Sequence, residues 1–151
     1  MQKLDDSMKT ALRNNISYLA TCSKDGVPHV IPVGLVEVLD DSTIAVVDVL
    51  MKKSRKNLAE NDHAALAVTD ANRLVGYSFK GEASVTSTQE MMRWAEEFVK
   101  KRLEKRRELL TNRLKSETNP EMISKIKKLI EAEYQPKAVV LIKVGEVYRV
   151  M

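Results

Sequence analysis

The sequence of 151 residues contains very little of the residue types that build disulfide scaffolds and metal sites. Its single cysteine, Cys22, excludes a disulfide framework and a cysteine metal cluster within the chain. Its two histidines, His29 and His63, are far apart in sequence and lack the spacing of metal ligands. We therefore expect no metal site.

Long apolar runs are also missing. No stretch approaches the roughly 20 apolar residues of a membrane-spanning helix, and residues 1–15 are too polar for a signal peptide. The net charge of +4 is modest and does not by itself indicate a nucleic-acid partner. These absences predict a cytoplasmic protein with no membrane segment and no bound nucleic acid.

Much of the chain has the pattern of strands joined by tight turns. Asp25 and Gly26 form a strong hairpin signal. Pro28, Pro32 and Gly34 within one long strand indicate a sheet edge or a bulge. Because the connections are too short for crossover helices, we expect a closed or half-closed antiparallel barrel. The predicted elements are a helix at 3–14 and strands at 16–22, 27–39, 43–51, 63–70, 74–86 and 136–151.

Residues 88–134 have a different pattern, with apolar residues at helical spacing on either side of a break at 116–119. Asn119 and Pro120 predict the start of the second helix. We expect a helical hairpin inserted into one domain that spans residues 1–151. Its apolar stripe packs either on its own barrel or across a dimer. Residues 100–108 have one apolar side chain, so we expect them to project or to rest narrowly on a partner.

The hairpin also carries most of the excess positive charge. Residues 89–134 hold 12 lysines and arginines against 9 acidic residues. The two signs are interspersed, as on a solvated helix face, and no stacking aromatics punctuate the basic run. This pattern does not favour nucleic-acid binding.

A cluster of cations marks the junction between a strand and a short helix, within residues 43–61. Cations at a helix N-terminus oppose the helix dipole at a cost of about 0.3–1 kcal/mol each. Free N–H groups, the Ser54 hydroxyl and lysines together are typical of a phosphate site, although a solvated basic turn has the same composition. The cations concerned are Lys52, Lys53, Arg55 and Lys56.

In three segments the sequence resembles the FMN-binding split-barrel family, which includes pyridoxamine 5′-phosphate oxidase. They are ATCSKDGVPHVIPV (20–33), VDVLMKKSRKNLAEND (47–62) and GYSFKGEASV (76–85). The resemblance implies a mainly β fold with α insertions, namely a six-stranded antiparallel split β-barrel plus the inserted hairpin. It also implies a homodimer that holds FMN at the subunit interface.

The resemblance further implies which residues meet the cofactor. Lys53 and Ser54 would hold the phosphate, with Lys52 and Lys56 in the surrounding field and Asn57 one turn on. Arg55 is expected to face solvent or the dimer partner. The segments and residues that would meet the flavin ring are Val30, Ile31, Pro32, Val33 and Gly34 of the second strand, Val47, Asp48 and Val49 of the third, and Gly76.

Two departures from the oxidase count against vitamin B6 oxidation. Residues 147–151 lack its arginine and histidine pair, and Gly34 replaces a basic position. We expect a flavin-dependent oxidoreductase or electron-transfer protein acting on an unknown small molecule or electron partner. The alternatives are the same fold with a deazaflavin or haem, and a non-catalytic flavin-binding module. No catalytic residue is assigned, since His29 and Cys22 are expected to be structural.

Overall fold

The computed structural model describes residues 3–150; Met1, Gln2 and Met151, which the predicted domain includes, lie outside the described residues. Seven strands and four helices follow one another along this part of the chain. They are α1 (Asp6–Asn14), β1 (Ser17–Cys22), β2 (Pro28–Val33), β3 (Val36–Asp40), β4 (Thr43–Asp48), α2 (Lys53–Glu60), β5 (His63–Asp70), β6 (Val75–Thr86), α3 (Gln89–Leu114), α4 (Pro120–Glu131) and β7 (Ala138–Arg149).

The strands form one antiparallel sheet in the order β2-β1-β5-β6-β7-β4-β3. The sheet curls into a half-barrel, and the predicted antiparallel split barrel with an inserted hairpin is confirmed. The predicted count of six strands is wrong, because residues 27–39 form two strands. β2 pairs with β1 at one edge of the sheet and β3 pairs with β4 at the other, so the chain crosses between the edges at Gly34 and Leu35.

Local signals determine the ends of several elements. The β1–β2 turn closes through Gly26, which donates its N–H to the Ser23 carbonyl at 3.0 Å and has φ +86°. That conformation suits glycine, as the Asp-Gly pair predicted. Asp5 caps α1 by accepting a hydrogen bond from the Met8 N–H at 2.8 Å, so the helix begins at Asp6 and not at residue 3.

The hydrophobic core lies inside the curled sheet, and a second apolar layer lies outside it. Inward-facing side chains such as Leu19, Ile44, Leu66 and Phe79 are fully buried. The outer layer packs one face of α3 against β4 and β7. Its buried members are Ala45, Val47, Ala95, Val99, Leu103 and Val139.

The helical hairpin rests on its own barrel, which is one of the two alternatives left open by the sequence. The Asn119 side chain accepts from the N–H groups of Glu121 and Met122, and Pro120 is the first helical residue, as predicted. Residues 100–108 do not project. Arg102 reaches carbonyls of the β2–β3 segment, and Arg107 donates to the Ile130 carbonyl at 2.9 Å. Long arginine stems allow this seemingly solvated run to pack.

None of the helices formed by residues 3–150 has the length and apolar character needed to cross a membrane.

Two glycines lie at a bulge in the β6–β7 pair, and only one of the two positions requires glycine. Lys80 lies opposite Glu146 but Gly81 lies opposite Val144, so Gly145 is the extra residue. A Cβ on Gly81 would overlap the Lys143 backbone carbonyl, whereas a Cβ on Gly145 would have its nearest neighbour at 3.9 Å.

We expect Gly81→Ala to lower the free energy of unfolding by about 2 kcal/mol or more, because the backbone of β7 must move. Gly145→Ala is the matched control and should change it by less than about 1 kcal/mol. Urea denaturation of both variants measures the difference. Equal effects of the two substitutions would contradict the close approach at Gly81.

Candidate functional site

The β4–α2 junction places uncompensated cations around a buried hydroxyl. The first turn of α2 has no acidic residue, and Lys52 precedes the helix without a side-chain cap. Lys52 and Lys53 are exposed, whereas Ser54 is only 1% exposed. The Ser54 Oγ has no hydrogen-bond partner among the described residues. Because buried polar atoms are almost always paired, this hydroxyl is available to a ligand of the helix N-terminus.

Asp48 determines where α2 begins. Its side chain is fully buried at the end of β4, and its Oδ1 accepts from the Met51 N–H at 2.8 Å. The Arg55 Nε lies 3.4 Å from Oδ2, close enough for an ion pair but not aligned as a hydrogen bond. The expectation that Arg55 faces solvent or the dimer partner is incomplete: its side chain is still 39% exposed, but its Nε also lies beside this buried carboxylate, which requires a nearby cation.

Asn57 attaches α2 to the barrel. It is buried, and its Nδ2 donates to the Thr21 Oγ1 of β1 at 3.1 Å. The predicted contact between Asn57 and a phosphate stays a prediction.

The open edge of β2 offers backbone groups to a ligand. Pro28 and Pro32 lie opposite Cys22 and Tyr18 of β1. Since proline has no N–H, these two residue pairs are of the non-hydrogen-bonded kind. The two kinds of pair alternate along an antiparallel ladder, so the pair that contains Val30 is also non-hydrogen-bonded. The N–H and C=O of Val30 therefore point away from β1, and its side chain is 61% exposed.

Two of the segments predicted to meet a ring line the same cavity. Its volume is about 290 Å³, near the lower end for ligand pockets, and its wall is apolar. Residues 31–35 form one side, and Val47, Val49, Leu50 and Met51 form the other. The predicted ring strand and the end of β4 thus meet directly before the first turn of α2.

A second cavity of about 640 Å³ adjoins the first and brings the inserted hairpin to the site. Both cavities are lined by residues 32–35, Val49 and Leu50. The far wall of the second cavity is basic and comes from α1 and α3. The sequence analysis missed this wall, although the basic run at 100–108 was its signal. The cations that line it are Arg13, Arg102, Lys105 and Arg106.

Gly76 is not brought together with the other predicted residues. It lies near the start of β6, where its carbonyl accepts from the Val150 N–H at 2.9 Å. On β7, Ala138 pairs with Asp48 at the end of β4, and the next residue, Val139, pairs with Thr86 at the end of β6. The end of β4 therefore lies near the end of β6 that is farthest from Gly76. The predicted contact of Gly76 with the ring stays untested, and Gly76 lines neither cavity.

The two residues set aside in the sequence analysis also lie away from both cavities. His29 is half-buried in β2, opposite Thr21. Cys22 is half-buried and lines a separate groove of about 1060 Å³ across β1, β5, β6 and β7. Neither side chain lines the wall of the proposed ring cavity.

Comparison with known proteins gives one family and several structures of the same fold. The model of a family described as pyridoxamine 5′-phosphate oxidase matches residues 4–150. An uncharacterized protein of Methanocaldococcus jannaschii is 29% identical over 148 residues, which cover 97% of this chain and 80% of that relative.

Among solved structures, HupZ of Group A Streptococcus has a TM-score of 0.71 at 20% identity and covers 97% of this chain and 94% of its own. A putative pyridoxamine 5′-phosphate oxidase from Lactobacillus delbrueckii has a TM-score of 0.66 at 21% identity, covering 98% and 95%. The fold is also shared by an FMN-binding protein from Syntrophomonas wolfei, with a TM-score of 0.54 at 13% identity, covering 95% of this chain and 83% of its own. It is shared as well by an F420 reductase, with a TM-score of 0.57 at 12% identity, covering 96% of this chain and 98% of its own.

Removal of the Ser54 hydroxyl should not destabilise the ligand-free protein. We expect Ser54→Ala to leave the free energy of unfolding unchanged or to raise it by up to about 1 kcal/mol, because an unpaired buried hydroxyl is lost. Thr21→Val is the contrasting variant: it removes the acceptor of the Asn57 amide and should cost about 1–3 kcal/mol. Urea denaturation compares the two. A clear loss of stability in Ser54→Ala would show that this hydroxyl has a partner in the free protein.

Proposed function

The chain belongs to the pyridoxamine 5′-phosphate oxidase family, and from this membership we propose that it is an FMN-binding protein that works in oxidoreduction or electron transfer. The observation that carries the proposal is the buried Ser54 hydroxyl without a partner. It lies in the first turn of α2, beside exposed lysines and directly after residues that line an apolar cavity.

The phosphate of FMN is assigned to the first turn of α2. Free N–H groups of this turn and the Ser54 hydroxyl would donate to phosphate oxygens, and Lys53 would supply a charge-assisted contact. Lys52 and Lys56 are exposed on the same turn and would add to the local positive field. A bound dianion would relieve the repulsion between these cations and the helix dipole.

The flavin ring is assigned to the cavity between β2 and the end of β4. The C=O of Pro32 is a backbone group suited to the polar edge of a ring, and Val47 and Val49 supply apolar wall. The outward N–H and C=O of Val30 lie on the same edge of β2, next to the lining of the cavity, which begins at residue 31. Bound FMN supplies hydride and electron transfer when present. The residues of this chain hold it in place, donate hydrogen bonds to it and exclude water.

The comparisons support a flavin without choosing among its chemical relatives. A protein of the same fold from Syntrophomonas wolfei is described as FMN-binding, and another is an F420 reductase. We propose FMN because its terminal, dianionic phosphate suits a helix N-terminus beside exposed lysines better than the internal phosphodiester of a deazaflavin cofactor does. A deazaflavin or haem is the alternative cofactor. Vitamin B6 oxidation is not proposed, because Gly34 stands where the resemblance to the oxidase implies a basic residue that helps to hold substrate.

A homodimer is proposed from an uncharged face of the sheet. Residues of β1 whose side chains point away from the core lie opposite residues of β2 and β5 on the same face. Tyr18 is 52% exposed and Val30 is 61% exposed there. Contiguous exposed apolar area of this kind marks an interaction surface. The uncharged face consists of Tyr18, Ala20, Val30, Pro32, Ala65 and Ala67.

The uncharged face also connects the proposed dimer to the proposed flavin site. Pro32 belongs to the face and to the wall of the ring cavity. A second copy packed on this face would therefore lie beside the ring and limit its exposure to water.

A non-catalytic flavin-binding module is the second candidate. It is favoured by the lining of the ring cavity, which offers no side chain that could donate or accept a proton. Repeated reduction of bound flavin by NADH or NADPH would support the oxidoreductase. Tight FMN binding without turnover by any common donor would support the module.

The double substitution Lys53→Ala with Ser54→Ala should weaken FMN binding by about 10- to 100-fold, because it removes one charged and one neutral phosphate contact. Fluorescence titration of FMN with the purified protein measures the dissociation constant. The control is Ser124→Ala with Lys127→Ala, an exposed pair on α4 that should leave it unchanged. Wild-type protein that takes up no FMN would contradict the cofactor assignment. Unchanged affinity of the first double variant would contradict the assigned residues.

Tyr18→Asp should convert the proposed dimer to monomers, because it places a carboxylate in the centre of the uncharged face. We expect the dimer dissociation constant to rise by about 30-fold or more, as when an interface hot spot is lost. Sedimentation velocity measures the change. Leu74→Asp is the control, since Leu74 is 75% exposed in the β5–β6 turn, at φ 53°. A monomeric wild-type protein would refute the proposal, as would a Tyr18→Asp variant that remains dimeric.

A further inference from the structure

We propose that the cavity between β2 and α3 binds an organic anion, the substrate or electron partner of the neighbouring flavin. The part that concerns flavin rests on the proposed function. The anion site itself rests on the residues that line the cavity. It would give the inserted hairpin a role in choosing what reaches the flavin.

The wall formed by α1 and α3 is positive and largely uncompensated. Four cations line the cavity and no acidic side chain does: Arg13, Arg102, Lys105 and Arg106. Arg13 is paired with Glu37, with Nε and Oε1 2.8 Å apart. For the other three, no carboxylate among residues 3–150 lies within the 4.0 Å of an ion pair. Three unpaired cations around one concave space are typical of a site for an anion.

Arg102 is held in place before any ligand arrives. Its guanidinium donates to the Val36 carbonyl at 3.0 Å and to the Gly34 carbonyl at 3.4 Å, and it lies 4.9 Å from the centre of the Phe98 ring. Partial burial lowers the pKa of this group, which still keeps its charge. A guanidinium has five N–H donors, so donors remain for a ligand. Pre-ordering of this kind reduces the entropy cost of binding.

The contact with Gly34 links the basic wall to the flavin site. Gly34 lines both cavities, so a molecule held by Arg102 would lie against the same backbone that borders the ring cavity. The inserted hairpin therefore contacts the proposed flavin site in two ways besides its packing on β4. It donates a hydrogen bond to Gly34, and its cavity shares lining residues with the ring cavity.

The rest of the lining favours an organic anion over a small inorganic ion. Ile16, Val33, Leu103, Leu109 and Tyr134 provide apolar surface, and the volume of about 640 Å³ suits a molecule of cofactor or metabolite size. Ile16 and Leu109 are 56% and 62% exposed, which leaves their apolar surface available to a ligand. The geometry is less suited to a nucleic-acid backbone, which tracks along a groove and stacks its bases on aromatics.

Calorimetric titration of the FMN-loaded and of the FMN-free protein with phenyl phosphate, an organic anion, at low ionic strength tests the anion site. The variant is Lys105→Gln with Arg106→Gln, and the control is Arg93→Gln with Lys101→Gln. All four residues are exposed on α3, but only the first pair lines the cavity. We expect the first pair to weaken binding by about tenfold or more and the control by less than about twofold.

The possible results separate this inference from the proposed function. Equal losses in both variants, or no binding to the wild type, would overturn the anion site. Phenyl phosphate binding to the FMN-free protein that FMN abolishes would also overturn it, because the cavity would then be the site of FMN's own phosphate. Tighter binding of duplex DNA that the first variant abolishes would replace the small anion by a nucleic acid. Cavity-dependent phenyl phosphate binding in a protein that takes up no FMN would support the anion site and contradict the proposed function.

Discussion

Burial of β4 on both faces is the constraint on which the rest of the molecule depends. Ile44 and Val46 face the barrel core, while Ala45 and Val47 face α3. A strand covered on both sides cannot shift its register without exposing one set of apolar side chains. The position of β4 therefore sets the place of the hairpin on the barrel, and with it the height at which the basic residues of α3 meet the β2–β3 crossing.

β4 ends in a buried carboxylate, which requires a hydrogen-bond donor or a cation beside it. Asp48 is completely buried, and its charge is met by the Met51 N–H and by Arg55 from α2. Leaving such a carboxylate without partners would cost several kcal/mol, so the chain turns tightly and α2 starts close to the end of β4. This turn places the lysines and the unpaired Ser54 hydroxyl directly after Met51, the last residue along the chain that lines the apolar cavity.

The sequence predicts what depends on neighbouring residues, and it misses what depends on pairing across the sheet. The Asp25-Gly26 turn and the Asn119-Pro120 helix start follow from local chemistry, and both are found. The division of residues 27–39 into β2 and β3 could not be predicted, because it follows from which strand each half meets. The basic wall was not predicted, because interspersed charges on a helix are typical of a solvated face. Only the structure shows that the Arg102 guanidinium donates to a backbone carbonyl.

The two groups of cations stand on separate elements of the fold. Lys52 and Lys53 stand at the β4–α2 junction, while Lys105 and Arg106 stand on the hairpin, and the apolar residues shared by both cavities lie between. The net charge of the chain is only +4, but within each group the positive charges lie close together and repel one another, which costs free energy. FMN placed with its phosphate on α2 would relieve the first concentration and leave the second unchanged. The second would then be available to the organic anion proposed above.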